Sequence, residues 1–428
     1  MIRLHPIPDV AFDCPYCQLP LTVTGWYMPG MRTLATLRCP RCSRDFYGDL
    51  PVGHGIRHAR LLEKATGQIY GETPGHDWHA GWLRRSYAQR TQNPRPIHVE
   101  TFRTPRRGVL LNCLDTVYGH GLLKLLNAQY YLDHCPDLDL VVLIQPMFRW
   151  LVPDGVAAIW TVDLPLRAGI EWNDWLAAEF KKQVETWDEA YLSRAFSHPH
   201  PTDFHIQRFT RVTPFPLTEW EERLRRPTVT YIWREDRLWS REPIQRFLRR
   251  AQNFLIRHGI LAGPAPWTFW EQTRAVTALA RKLRQRFPEL DFAVAGVGQA
   301  GGLPAWIQDL RTRRFDEPLE RALVERYAAS HVVVGVHGSN MLLPSAHAGA
   351  TVELMPEKRW GNMLQDLLVR PDDMRETLFH YRILPVTTSP GTVSDVIGSI
   401  LTDRPSMLAH MARASCQHRC IRSHGNRV

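Results

Sequence analysis

The segment from His331 to Pro356, HVVVGVHGSNMLLPSAHAGATVELMP, leaves the chain few ways to fold. Val332, Val333, Val334, Gly335 and Val336 form an apolar run without polar alternation, the pattern of a parallel strand covered on both faces. The run stops at His337, where Gly338 permits close backbone approach and Ser339 or Asn340 can cap a following helix. The first free N–H groups of that helix, with the positive end of its dipole, would face an anion. A second strand, Thr351 to Met355, carries Glu353 on the same sheet edge, where a carboxylate can accept hydrogen bonds from sugar hydroxyls. Any doubly wound domain can hold a strand, a glycine turn and a helix. The full order of strand, turn, helix, strand and acid is more specific.

The same alternation extends in both directions. The pattern predicts strands at Val109–Leu114, Leu138–Ile144 and Ala157–Val162, with helices at Gly121–Leu132 and Asn173–Tyr191. After the basic, proline-containing segment Leu224–Pro227 it resumes: strand Thr228–Trp233, helices Glu242–His258 and Phe269–Phe287, strand Asp291–Gly296 and helix Leu319–Ser330. Phe379–Val386 and Thr392–Leu401 add a last strand and helix. Strands alternating with helices imply mostly parallel sheets with right-handed crossovers. The expected organisation is a small module at 1–50, a loop-rich connector at 51–105 with a helix near Ala80–Gln89, an α/β domain at 106–226, a second at 227–402, and a basic tail at 403–428.

Four cysteines make the clearest local motif. Cys14-Pro-Tyr-Cys17 and Cys39-Pro-Arg-Cys42 are two CxxC turns separated by 21 residues, with short strands expected at Leu21–Trp26 and Arg32–Arg38 around Pro29-Gly30. Each turn aims two thiolates at one point, and four complete a closed tetrahedral shell, so the motif reads as a zinc ribbon. Two disulfides or a redox CxxC are the alternatives. A shell of four protein ligands leaves no position open for chemistry, so the metal would hold up a module too small to fold alone. Cys113 and Cys135 sit beside apolar segments and read as core thiols. Cys416, His418, Cys420 and His424 form a cluster in the basic tail whose spacing fits no common zinc fold.

Lysine and arginine number 53 against 43 acidic residues, and the net charge of +10 suits an anionic partner such as a nucleotide diphosphate, nucleic acid or an acidic surface. Many of the cations lie on helix faces, as at Arg281, Lys282, Arg284 and Arg286, where solvation is the ordinary explanation. The most hydrophobic region, Leu138–Trp160, is broken by Gln145, Pro146, Arg149, Pro153 and Asp154, too soon for a membrane span. The opening MIRLHPIPDVAFDCPYC has no apolar stretch followed by a small-residue cleavage site. A cytoplasmic location is expected, with peripheral membrane contact allowed.

The block His337, Gly338, Ser339, then Glu353, Leu354, Met355, Pro356 resembles the nucleotide-sugar half of GT-B glycosyltransferases, and most closely glycosyltransferase family 61. The match covers about 130 residues of the C-terminal half, and Ser-Asn stands where Ala-Gly is commoner. The resemblance implies an α/β fold of two Rossmann-like domains facing across a cleft, joined here to the N-terminal zinc ribbon. It also implies transfer of a sugar from a nucleotide diphosphate sugar to an acceptor hydroxyl on a glycan, lipid-linked or protein acceptor, without a catalytic metal. Strand-end arginines meet the donor phosphates in similar enzymes, which points to Arg234 and, three residues on, Arg237; ordinary surface ion pairs with Glu235 and Asp236 are the alternative.

His337, Gly338, Ser339, Asn340 and Glu353 complete the expected donor site. The loop Asp115-Thr-Val-Tyr-Gly-His-Gly121 holds an acid and an imidazole where such enzymes place acid–base residues, so His120 or Asp115 is the expected base. A helix-capping Asp115 and a lining His120 are the plainer reading. Gly296-Val-Gly298-Gln-Ala-Gly301 satisfies GxGxxG, but the following strand ends at His337 without a ribose-gripping acid, so Gly298 is expected in a loop over the nucleotide instead. Asp137-Leu-Asp139 has the form of a DxD metal motif but precedes its strand, on the wrong sheet edge. A zinc-ribbon module that binds nucleic acid or protein, on an inactive transferase-like fold, is the alternative function.

Overall fold

The computed structural model describes residues 1–4, 8–56, 59–71, 77–239, 251, 254, 269–298, 301–314, 316–368 and 374–424, with side chains except at 77–78 and 412–424. The expected helix at Glu242–His258 lies, apart from Ala251 and Phe254, outside the described residues. The chain divides into two compact units, Met1–Phe209 and Thr210–Val428.

In the first unit, β1 (Ile2–Arg3) is a short edge strand, and the cysteine motif then opens a five-stranded antiparallel sheet. Its order is β2 (Thr22–Tyr27), β3 (Leu34–Arg38), β4 (Asp45–Asp49), β5 (Leu61–Glu63) and β6 (Ile69–Tyr70). Part of the expected loop-rich connector therefore completes this sheet. Strands of two or three residues are too short to show alternation, and that is why the sequence pattern misses them. Tyr27, Tyr47 and Tyr87 pack around Trp172, with the helix Asp77–Ala88 close by.

The second sheet of this unit has the order β1, β11 (Glu189–Leu192), β8 (Arg107–Asn112), β9 (Asp139–Ile144), β10 (Ala158–Val162), β7 (Ile97–Thr101). β11, β8, β9 and β10 are parallel, and the two edge strands pair antiparallel. The expected helix Asn173–Tyr191 is corrected here: it ends at Val184, and the chain re-enters the sheet as β11. Ala190 and Leu192 point inward in strand alternation, and Trp187 packs where a side chain at Gly108 would have to lie. The expected helix Gly121–Leu132 is likewise two, Tyr118–Leu126 and Ala128–His134. Asn127 stands at the break, its amide donating to the carbonyls of Leu123, Lys124 and Phe196.

The second unit has six parallel strands: β12 (Thr228–Trp233), β13 (Asp291–Val297), β14 (Gln308–Thr312), β15 (Val332–Val336), β16 (Ala350–Met355) and β17 (Tyr381–Pro385). Their spatial order is β14, β13, β12, β15, β16, β17, or 3-2-1-4-5-6 in chain order, the arrangement of a doubly wound Rossmann-like sheet. β15 is buried throughout, as its unbroken apolar run requires. The helix Trp270–Arg286 seats Val276, Leu279, Ala280 and Leu283 against the sheet, beside Val393, Ile397 and Leu401 of the last helix. That last helix runs Pro390–His424, longer than the expected Thr392–Leu401. Asp316 caps the helix Glu317–Ala328, accepting from Leu319 N at 3.0 Å.

Three of the four buried histidines among the described residues of the second unit pack away from any acid. His331 and His380 flank the buried indole of Trp220, and His347 meets Thr210 Oγ1 at 2.9 Å. Burial lowers each to a pKa of about 4 from the ordinary 6.5. Folded-state values below the unfolded value mean that the unfolded chain takes up protons first. Their contribution is whole above pH 6.5 and is lost as the pH falls toward 4. Urea midpoints should therefore drop between about pH 7 and pH 5, with a slope approaching three protons. A flat profile would contradict the burial of these imidazoles.

Candidate functional site

In the second unit, β13 and β14 extend the sheet to one side of β12 and β15 to β17 to the other, so the C-terminal ends of β12 and β15 frame the switch point where doubly wound sheets bind ligands. Arg234 follows β12 there. Its Nε and Nη2 donate to the two oxygens of Asp236 at 2.7 and 2.5 Å, while Nη1 donates to the His337 carbonyl at 2.9 Å and to Asn340 Oδ1 at 2.7 Å. Arg237 Nη1 donates to the same His337 carbonyl at 2.8 Å. Two guanidinium groups therefore converge on one backbone oxygen. Burial, and then the neighbouring Arg234 and Arg359, lower the pKa of half-buried Arg237. Gly338 has φ +151°, and a Cβ there would collide with Nη1 of Arg234 and meet Nη1 of Arg237 at 2.9 Å.

His337 lies between two acids, with Nδ1 3.1 Å from Glu353 Oε2 and Nε2 3.2 Å from Asp366 Oδ2. Burial raises the Glu353 pKa, and the His337 imidazole opposes that rise. The contact with Glu353 is poorly aligned. Both Glu353 oxygens, His337 Nδ1 and Asn340 Nδ2 are buried without completing a hydrogen bond.

The site differs from the sequence expectation in three respects. Glu353 is in mid-strand and fully buried, so it supports His337 instead of facing outward. Ser339–Met341 is a 3-10 turn, and the helix behind it, Leu342–His347, has six residues and no side-chain cap, because Asn340 is turned to Arg234. Arg234 is only 8% exposed, and every side-chain nitrogen donates within the protein. Gly298 follows β13 with φ +121°, and the space its Cβ would need is filled by the Glu235 carboxylate. Arg359 and Asp366 escaped the sequence reading, since they lie in a segment without strand or motif pattern.

The first unit has its own switch point, between β8 and β11. Asp115 follows β8, fully buried. Its Oδ1 accepts from Thr116 N and Val117 N at 2.8 and 3.1 Å, and its Oδ2 is 2.7 Å from Lys124 Nζ. Burial alone would raise the carboxyl pKa, but Lys124 and His120 hold it well below the usual carboxylate range. His120 Nδ1 is 3.4 Å from Asp115 Oδ1 and 3.3 Å from His54 Nε2. The sequence gives no sign of His54, which arrives on a four-residue 3-10 turn, Gly53–Ile56. Asp139 begins β9 and accepts from Arg103 Nε at 2.6 Å and Arg106 N at 2.8 Å.

The four motif cysteines come together as free thiols whose sulfurs lie within 4.8 Å of one another. Cys14 and Cys42 sulfurs are 3.6 Å apart, and those of Cys17 and Cys39 3.5 Å apart. A tetrahedron with metal–sulfur bonds of about 2.3 Å has edges of roughly 3.8 Å, so the group can hold a metal ion. The two turns are built alike: Gln18 N donates to Cys14 O and Ser43 N to Cys39 O, with φ of 58° at Gln18 and 57° at Ser43. Cys113 is buried and Cys135 half-buried, while the side chains of Cys416, His418, Cys420 and His424 lie outside the described residues.

No protein-family model matches the chain, and no curated protein does. Among solved structures, one titled "OtsA apo structure" is similar at 14% identity over 72% of this chain and 78% of its own, with a TM-score of 0.24. A likeness at that level carries no argument about fold or activity. No described helix is long and apolar enough to cross a membrane.

The crossing of Arg234 over Gly338 yields a direct test. Gly338→Ala should displace the guanidinium and cost roughly 1–3 kcal/mol in urea unfolding, the range for forcing an atom into a packed site. An unchanged midpoint would contradict this contact.

Proposed function

We propose that the chain is a glycosyltransferase of the GT-B type that moves a sugar from a nucleotide diphosphate sugar to an acceptor hydroxyl. The observation that carries this reading is the convergence of Arg234 and Arg237 on the His337 carbonyl at the switch point of a 3-2-1-4-5-6 sheet. Departure of a nucleoside diphosphate places negative charge where fixed cations and N–H dipoles are needed. Arg234 is saturated by Asp236, Asn340 and His337, so its part is to hold the loop. Arg237, with exposed Arg359 beside it, is the group that meets the phosphates. These arginines supply the countercharge that a catalytic metal gives in other transferases.

Gly338 to Asn340 would lie against the diphosphate and the Gly298 loop against the nucleoside. Buried His337 and Glu353 would shape the pocket floor. In the first unit His120, 3.4 Å from Asp115, is the candidate base for the acceptor hydroxyl. The resemblance of the His337–Pro356 block to glycosyltransferase family 61 supports the same assignment. The four-cysteine module would carry one structural zinc, because its closed sulfur shell leaves no coordination site for substrate.

A nucleoside diphosphate at about one hundred times its Kd should raise the melting temperature by roughly 5 °C or more, from a binding linkage of about 2.7 kcal/mol. Arg237→Ala should remove most of that shift while leaving the unliganded melt near wild type. Flat scans with UDP, GDP, CMP and ADP, together with steeply salt-dependent binding to nucleic acid, would replace the transferase reading with a nucleic-acid-binding one. Elemental analysis should find about one zinc per chain, lost in Cys39→Ser together with much of the first unit's stability. Full stability after exhaustive chelation would rule out a structural metal.

A further inference from the structure

We infer that His54 is a positioning residue for His120, accepting its Nδ1 proton so that Nε2 is left as the atom that takes a proton. The inference rests on the reading of His120 as the base for the acceptor hydroxyl. It extends that reading by giving the four-cysteine module a part in the site.

The geometry begins with a shortage of acceptors. Asp115 is the obvious partner for His120, but its Oδ1 already accepts two backbone amides and its Oδ2 is paired with Lys124. The contact from His120 Nδ1 to Asp115 Oδ1, 3.4 Å, is about as long as that to His54, so what separates the two acceptors is that this oxygen is already taken by two amides. His54 Nε2 approaches the same Nδ1 at 3.3 Å, with the two rings steeply inclined at 68°. A neutral imidazole offers one acceptor nitrogen, and one ring nitrogen's partner decides which tautomer the ring adopts. Burial, and then repulsion from His120 and Lys124, lower His54 to a pKa of about 3, so it stays neutral and able to accept. His120 Nε2 has no hydrogen-bond partner among the described residues, and the side chain keeps 17% exposure.

The chain entering the turn that carries His54 is anchored twice. Leu50 N donates to Thr33 O within the cysteine module, and Gly53 N donates to Arg194 O just beyond β11. Gly53 has φ +54°, and a side chain there would press on Lys124 Cε at 3.3 Å. The module's sheet thus delivers its turn onto the switch point of the neighbouring sheet. The titratable and charged groups that face the pair are Asp115 and Lys124 from the β8 side, His79 beside His54, and His198 after β11. His54, His120 and Asp115 could also hold a cation, their ligand atoms lying within 4.8 Å. The ammonium of Lys124 and the two amides on Asp115 oppose that use.

The test uses the full-length chain labelled with 15N-histidine, read by long-range 15N–1H correlation at about pH 7.5. His120 should show the Nδ1–H tautomer in the wild type and in His54→Gln, whose amide oxygen can accept in the same place. In His54→Ala it should move to the Nε2–H form that an isolated side chain prefers. Should His54→Ala fail to fold, His54→Asn serves instead, since its shorter amide falls short of the ring. In a transfer assay His54→Ala should lower kcat about tenfold with KM changed less than twofold, and His54→Gln should restore it. An unchanged tautomer in His54→Ala overturns the inference. So does a second metal equivalent that depends on His54. Expected spectra with transfer rates indifferent to both His54 and His120 would uphold the positioning and remove His120 as the base.

Discussion

The C-terminal edge of the second sheet depends on the hydrogen bonding of one buried guanidinium. Arg234 ties its own loop, through Asp236, to the turn after β15, through the His337 carbonyl and Asn340. A buried charge is tolerated only when paired and fully bonded, since removing one partner leaves the desolvated ion exposed to its full cost. The parallel pairing of β12 with β15 brings the two strand ends level, and Gly338 leaves room for the crossing. Once that bond is made, the position of Arg237 and the orientation of Asn340 follow.

How far the sequence could be read depended on burial. β12, β13, β15 and β16 are covered on both faces and write themselves as apolar runs, so their positions were legible within one or two residues. β14, with the sequence QDLRT, is a polar edge strand and carries no such signal. β11 was hidden because four residues after a helix can extend the helical period by chance. The CxxC pairs were legible because two-residue spacing is itself the geometry of a ligand turn. At the candidate site, strand-end positions marked Arg234 and His337. What the sequence withheld was saturation: that Asp236, Asn340 and Asp366 occupy these side chains is decided by strand register and turn shape, which composition does not encode.

The two switch points carry different chemistry for reasons rooted in their neighbours. The one after β12 gathers arginines, which keep their charge at any working pH and therefore suit a fixed anion. The one after β8 gathers imidazoles beside a single acid–lysine pair, and a neutral imidazole offers one donor and one acceptor nitrogen. Lys124 neutralises Asp115 and donates to the Leu114 carbonyl, so it is consumed in holding the loop. The histidines are what remains at that edge, and one of them, His54, comes from outside the α/β sheet.

The contacts around His337 are less complete than those of Arg234: His337 Nδ1 faces Glu353 Oε2 at 3.1 Å but out of line. Buried polar atoms nearly always find partners, and each one left without costs about 1–3 kcal/mol. Here four such atoms, on Glu353, His337 and Asn340, lie beside a fully satisfied arginine. Were the cluster only structural, apolar residues of similar volume would hold β15 and β16 together at less cost. The proposed donor site has the opposite requirement, since the donors and acceptors that meet a polar ligand must be held in place before it arrives.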